Sequence, residues 1–194
     1  MTKVLVVYGS RHGATEGIAQ RIGEVLRAQG LAAPVVSADV VADEDVRDAD
    51  AFVVGSAVYM GRWLKEPTEF LENYPSLLRA SPVWLFSSGP LPGSTVSKEP
   101  SDPLTDALGP KAGPGSGGRM KIDELAASIG ARDHRVFLGR YDPDEPPRSF
   151  PERIVRMLPV SKGMLPHGDF RNWPDIEAWA MEIAATMASP AAPV

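Results

Sequence analysis

Three short stretches of the chain combine residue types that can do chemistry. The first, Gly9-Ser10-Arg11-His12-Gly13-Ala14-Thr15, joins a short apolar run to an amphipathic stretch. Small and hydroxylic residues there leave backbone N–H groups free around an anion at a helix N-terminus, where the partial positive charge also favours it. A phosphate is the natural guest. The plainer alternative is a tight strand–helix turn in which Ser10 and Thr15 act only as caps. The second stretch is Ser56-Ala57-Val58-Tyr59-Met60-Gly61-Arg62-Trp63. Tyr59 offers a flat ring for stacking, and Gly61 permits a peptide geometry closed to other residues. The alternative here is that Tyr59, Met60 and Trp63 pack the helix that follows. The third, Ser87-Ser88-Gly89-Pro90, is again small and turn-forming.

Other chemistries lack their residues. Gly9, Gly13 and Gly17 miss the spacing of the dinucleotide fingerprint, and no Lys follows Gly13 as the nucleotide-hydrolase loop requires. The three histidines, His12, His134 and His167, show no metal-ligand spacing, so no metal site is expected; they fall in the phosphate turn, at a strand edge and in a loop. Neither Gly55-Ser56 nor Ser87-Ser88-Gly89 fits a G-x-S-x-G nucleophile turn. A response-regulator receiver needs an Asp where Gly55-Ser56 stands. With no cysteine, disulfides, thiolate metal sites and cysteine nucleophiles are excluded. A net charge of −5 argues against broad binding to nucleic acid or anionic lipid. The acidic run Asp43, Glu44, Asp45, Asp48 and Asp50 reads as a solvated loop and helix face, or as a dock for a basic redox partner.

The elements that must position these stretches follow from periodicity. Apolar, β-branched runs at Val4–Tyr8, Ala33–Ser37, Ala51–Gly55, Val83–Ser87 and Arg135–Gly139 lack polar alternation, as strands buried on both faces do. A helix is expected from near Thr15, closed by Gly30. Another follows Lys65, with Pro67 in its first turn and Phe70, Leu71, Leu77 and Leu78 inward. Leu125, Ala126 and Ile129, closed by Gly130, suggest a third. Asn172 caps the last, in which Pro174 suits the first turn and Ile176, Trp179, Ala180, Ile183, Ala184 and Met187 form one stripe.

The expectation is an α/β chain with a five-stranded parallel sheet, helices on both faces and strand order 2-1-3-4-5. In such a sheet ligands lie beyond the strand C-termini, in the crevice between strands one and three. The three stretches would then share one rim. A single domain is expected over residues 1–188, interrupted by a Pro/Gly-rich loop at about 89–118, with 189–194 as a flexible tail and a short helix near Glu152–Leu158. No run reaches the roughly 18–20 apolar residues that span a bilayer. Met1-Thr2-Lys3 leads straight into an apolar run with no cleavage region, so a cytoplasmic address is expected.

These residues carry a family resemblance. Val6-Val7-Tyr8-Gly9-Ser10-Arg11-His12-Gly13-Ala14-Thr15 resembles the phosphate loop of flavodoxins, with His12 in its middle position. Phe52-Val53-Val54-Gly55-Ser56-Ala57-Val58-Tyr59-Met60-Gly61 and Leu85-Phe86-Ser87-Ser88-Gly89-Pro90 resemble the two loops that flank the flavin. Gly168-Asp169-Phe170-Arg171-Asn172-Trp173 is similar to the branch that includes the menaquinone-linked protoporphyrinogen oxidases.

The resemblance implies a flavodoxin-like three-layer sandwich binding flavin mononucleotide (FMN). Ser10, Arg11, His12, Gly13, Ala14 and Thr15 would surround the phosphate. Ala57, Val58, Tyr59, Met60 and Gly61 would flank the ring on one side, and Ser87, Ser88, Gly89 and Pro90 on the other. The Met60-Gly61 peptide matches the one that turns its carbonyl toward flavin N5, which implies a role in tuning the one-electron potential. The second loop lacks a stacking aromatic, leaving a ring face open, and Arg11 adds a cation where flavodoxins usually use neutral groups. Four readings stand open: an FMN redox protein serving a partner protein or a small acceptor such as a quinone, a binder of a 5-deazaflavin coenzyme, a quinone-linked protoporphyrinogen oxidase-like enzyme, and a cofactor-free binding module working through Leu91–Arg119.

Overall fold

The computed structural model describes residues 1–59, 62–89, 122–141 and 168–188. In chain order the elements are β1 (Val4–Gly9), α1 (Ala14–Ala28), β2 (Val35–Ser37), α2 (Asp43–Arg47), β3 (Ala51–Tyr59), β4 (Arg62–Trp63), α3 (Lys65–Asn73) and α4 (Pro75–Ala80). Then come β5 (Val83–Ser88), α5 (Ile122–Ile129), β6 (Asp133–Phe137), β7 (Arg140–Tyr141), β8 (Gly168–Asp169) and α6 (Trp173–Ala188). The main sheet has the order β2-β1-β3-β5-β6 with parallel pairing throughout, and β4 folds back antiparallel on the end of β3. Without that two-residue return this is the expected 2-1-3-4-5 order.

Alternation along the strands explains their unbroken apolar character. Val4, Val6, Ala51, Val53, Trp84, Phe86 and Phe137 face one layer, packing with Ile18 and Ile22 of α1 and Ile176, Trp179 and Ile183 of α6. Leu5, Val7, Phe52, Val54, Val83 and Leu85 face the other, against Phe70 and Leu71 of α3, Leu78 of α4 and Leu125 and Ile129 of α5. Both faces of each central strand are thus withdrawn from water, which is what the runs required.

Several boundaries differ from the sequence reading, each for a local reason. The helix expected after Lys65 is two helices, because Pro75 cannot continue a hydrogen-bonded turn and disfavours helical geometry at Tyr74, which sits at φ −120 and ψ 39. The last sheet strand begins at Asp133 and ends at Phe137, two residues ahead of the expected span at both ends. Asp133 and His134 pair with Trp84 and Leu85, and their polar side chains hide the strand from a search for apolar runs. The acidic run contributes a five-residue helix, α2, that buries Val46. Helix α1 starts at Ala14 and is followed by Gly30 at φ 84; α5 is followed by Gly130 at φ 67.

At the last helix, the Ile176 N–H donates to the Asn172 carbonyl at 3.1 Å and Pro174 falls in the first turn. Its stripe of Ile176, Trp179, Ala180, Ile183 and Ala184 is buried. The expected helix near Glu152–Leu158, the loop beyond Gly89, His167 and the tail lie outside the described residues.

Candidate functional site: the rim of β1, β3 and β5

Strand register builds the site. Gly9 pairs with Ser56, and Ser56 with Ser87, so one row of residues crosses the C-terminal ends of three adjacent strands. The three stretches singled out in the sequence leave the sheet from this row. Ser10–Thr15, Ala57–Tyr59 and Ser88–Gly89 therefore sit on the same rim. Met60, Gly61 and Pro90 lie outside the described residues.

In the first turn Gly13 adopts φ 74, a left-handed geometry open to glycine at little cost, and it supplies the N-cap of α1 without a side-chain cap. The first-turn N–H groups have no intrahelical partners, and Gly13 at the N-cap has no side chain to offer them. Beside them Ser10 Oγ is buried with no hydrogen-bond partner among the described residues. A buried hydroxyl left unpaired is costly. Thr15 is buried at the start of the same helix, and His12 and Ala14 are half-buried. Arg11 is exposed, with its guanidinium 5.3 Å from the centroid of the Tyr59 ring. The two turns are therefore bridged across the crevice by a cation–π contact.

The β3–β4 hairpin carries Tyr59, which is 37% exposed and available for stacking. Its stems are fastened by two serines that are register partners. Ser56 Oγ accepts the Leu64 N–H at 2.9 Å and donates to the Ala57 carbonyl at 2.9 Å. Ser87 Oγ accepts the Trp63 indole N–H at 2.7 Å and stands 2.8 Å from His134 Nε2. All of Ser56, Ser87, Ser88 and Trp63 are buried. Burial holds the His134 ring below its ordinary pKa, against the opposing pull of Asp123 and Asp133. Gly89 closes the rim at φ 139, where a Cβ would stand 3.2 Å from the Val58 carbonyl oxygen. The second turn can thus lie against the hairpin only as glycine.

The sequence suggests a local Asp169–Arg171 pair, which the structure shows, but not how far two of its contacts reach. Arg171 makes a bidentate pair with Asp169, Nε to Oδ1 at 2.8 Å and a terminal nitrogen to Oδ2 at 2.5 Å. It lies 4.4 Å from the Trp173 ring centroid, and its other terminal nitrogen stands 3.4 Å from the Ala14 carbonyl. A segment far along the chain thereby braces the first turn of α1. The arginine holds the Asp169 carboxyl below its usual range. Trp63 and His134 are the other case: the sequence places one in the second stretch, with packing as the alternative, and the other at a strand edge, and the structure joins both through Ser87.

Among the described residues no cluster of three or more His, Asp or Glu could hold a metal ion, and no helix is long and apolar enough to cross a membrane. The arrangement sets a glycine-capped helix N-terminus and a buried serine hydroxyl next to the Tyr59 ring.

Comparisons with known proteins agree with this fold. The chain is similar over its full described fold to a flavodoxin from the domain Archaea, at 18% identity and a TM-score of 0.56, covering 97% of this chain and 100% of that one. A Streptococcus pneumonia TIGR4 flavodoxin matches at 21% identity and 0.56, covering 95% and 99%. The rubredoxin oxygen:oxidoreductase of Desulfovibrio gigas matches at 16% and 0.55, covering 97% of this chain and 38% of that longer one. Identities this low speak for the fold. The family model described as Flavodoxin domain matches residues 5–140, and the chain belongs to the flavodoxin-domain family.

Proposed function

We propose that the chain binds flavin mononucleotide along the β1–β3–β5 rim and passes electrons or a hydride between redox partners, either a protein or a small acceptor such as a quinone. The observation that carries this reading is the unpaired, buried Ser10 Oγ beside an uncapped helix N-terminus. Together they offer a hydroxyl and several backbone N–H donors to one anion, the donor set a phosphate monoester needs. When bound, the flavin supplies the one-electron and hydride chemistry that amino-acid side chains do not.

The remaining work falls to the chain itself. Ser10, Thr15 and the amides of Gly13–Thr15 would hold the phosphate, with Arg11 and His12 at the mouth of the turn. Tyr59 provides a stacking surface, and Arg11 against its ring draws the two turns together. Ser88 and Gly89 would bring small residues to the opposite side of the ring. By its resemblance to the flavodoxin peptide, Met60-Gly61, between Tyr59 and Arg62 in the sequence, is the element suited to tuning the potential.

Titration of the ligand-free chain with FMN and with riboflavin tests the reading. FMN should bind and quench, and riboflavin, lacking the phosphate, should bind far more weakly. Thr15→Val should weaken FMN by about 1–3 kcal/mol through loss of a hydroxyl donor. Equal affinity for the two ligands would displace the phosphate from this turn. Preference for a 5-deazaflavin coenzyme would exchange the cofactor while keeping the cradle. A chain that takes up none of them would be a binding module.

A further inference from the structure

The contacts beneath the hairpin form a directed chain of hydrogen bonds. The indole of Trp63 can only donate, so Ser87 Oγ accepts at 2.7 Å. Ser87 is 4% exposed, so its own proton needs a protein acceptor. His134 Nε2, 2.8 Å away, supplies one if the ring is neutral and carries its proton on Nδ1. The opposite sense would point two donors at Ser87 Oγ and strand the serine proton in a buried site. Every group is satisfied only in the order Trp63 to Ser87 to His134. The His134 and Trp63 rings also meet edge-on, with centroids 6.2 Å apart, so the imidazole touches the hairpin stem directly.

We infer that His134 is a positioning residue for the ligand-flanking hairpin: its bare Nε2 ends a hydrogen-bond chain that fixes Trp63, and a second proton on the ring undoes that order and loosens the hairpin. The hairpin is β3–β4, with Val58 paired to Trp63 and Tyr59 to Arg62, so a shift of the Trp63 ring is passed to the residues beside the crevice. The consequence for ligand affinity rests on the flavin reading above.

The charged groups acting on the ring are Asp123 at the start of α5 and Asp133 on its own strand, both favouring protonation. Asp133 is engaged by the Trp179 indole at 2.8 Å and by Arg135 at 3.1 Å, on the opposite face of the sheet. Ser87 on β5 and Trp63 on β4 bring no charge. Burial outweighs the two carboxylates, so the ring stays neutral at pH 7 and gains its proton only on the acid side of the usual value of 6.5.

The test uses the full chain in two states. In the ligand-free protein, the indole N–H resonance of Trp63, assigned with Trp63→Phe, and the Val58 and Tyr59 amides are followed from pH 8 to 4.5 by NMR, with circular dichroism confirming an intact fold. All three should shift together with one midpoint below 6.5 in the wild type. None should do so in His134→Gln, whose carbonyl keeps the acceptor without titrating. FMN affinity should fall about tenfold across the same midpoint in the wild type and stay level in His134→Gln. His134→Leu, which removes the acceptor, should be weak at every pH. An indole resonance indifferent to pH in the wild type, or an undiminished step in His134→Gln, overturns the assignment. So does an indole that titrates while the hairpin amides stay still. If indole and amides titrate together but flavin never binds, the flavin reading fails and the positioning role stands.

Discussion

At the end of β1 the Ser10 hydroxyl is buried with no hydrogen-bond partner among the described residues, whereas one and two strands away the hydroxyls of Ser56 and Ser87 are each bonded twice. All three serines stand at or just past the same register row. Ser56 and Ser87 spend their hydrogen bonds on the chain itself, holding a hairpin whose residues must be in place before a ring can lie against them. On the flavin proposal Ser10 would keep its capacity for the phosphate, and its bond, unmade among the described residues, would be a local cost that the ligand converts into affinity.

The contrast can be broken most forcefully at the hairpin. Trp63→Ala removes a buried ring and leaves Ser87 without its donor, and should cost about 3–5 kcal/mol in urea unfolding. A loss below about 1 kcal/mol, the scale of a surface change, would mean that the hairpin stem does not depend on it. A sharper comparison sets Ser56→Ala against Ser10→Ala. The first leaves the Leu64 N–H buried and unpaired, and should destabilise the ligand-free chain by about 1–3 kcal/mol. The second removes a group that has no partner, so ligand-free stability should stay level or rise slightly while FMN affinity falls. Equal destabilisation by both would erase the distinction.

The smallest effect is expected at the brace on α1. Asp169 is held below its ordinary value of 3.8, first by the Arg171 hydrogen bond. A carboxyl depressed in the folded state contributes stability that is full above its unfolded value of 3.8, declines as pH falls past it, and is gone only below the lower folded value. Solvent screening keeps it under about 1 kcal/mol. Asp169→Asn should flatten that part of the acid limb of a thermal-melt profile and leave the melt at pH 7 slightly lower.

Much of the frame was legible because it depends on burial. Val4–Val7, Phe52–Val54 and Val83–Phe86 present apolar groups to two layers, and nothing but a covered strand accommodates such runs. Gly30 and Gly130 marked helix ends because their positive φ suits few other residues. What stayed hidden was polar and long-range. Asp133 and His134 disguised the start of β6, since their partners lie on α6 and β5, 46 and 47 residues away. Arg171 reaches Ala14 across 157 positions, and nothing local to either residue announces it. Turn chemistry in the first stretch was readable residue by residue. Which hydroxyls are spent and which are kept is a property of the assembled rim, and only three-dimensional neighbours decide it.

The in-register row of Gly9, Ser56 and Ser87 has a consequence for how such a protein can diverge. Because the three strands share this row, the turns beyond it can lengthen, shorten or change chemistry without disturbing the layers below. An inserted residue inside β3 would instead advance its exit by about 3.3 Å and exchange its inward and outward sides. The loops are thus free to acquire new guests, while the ledge beneath them is fixed by two cores at once.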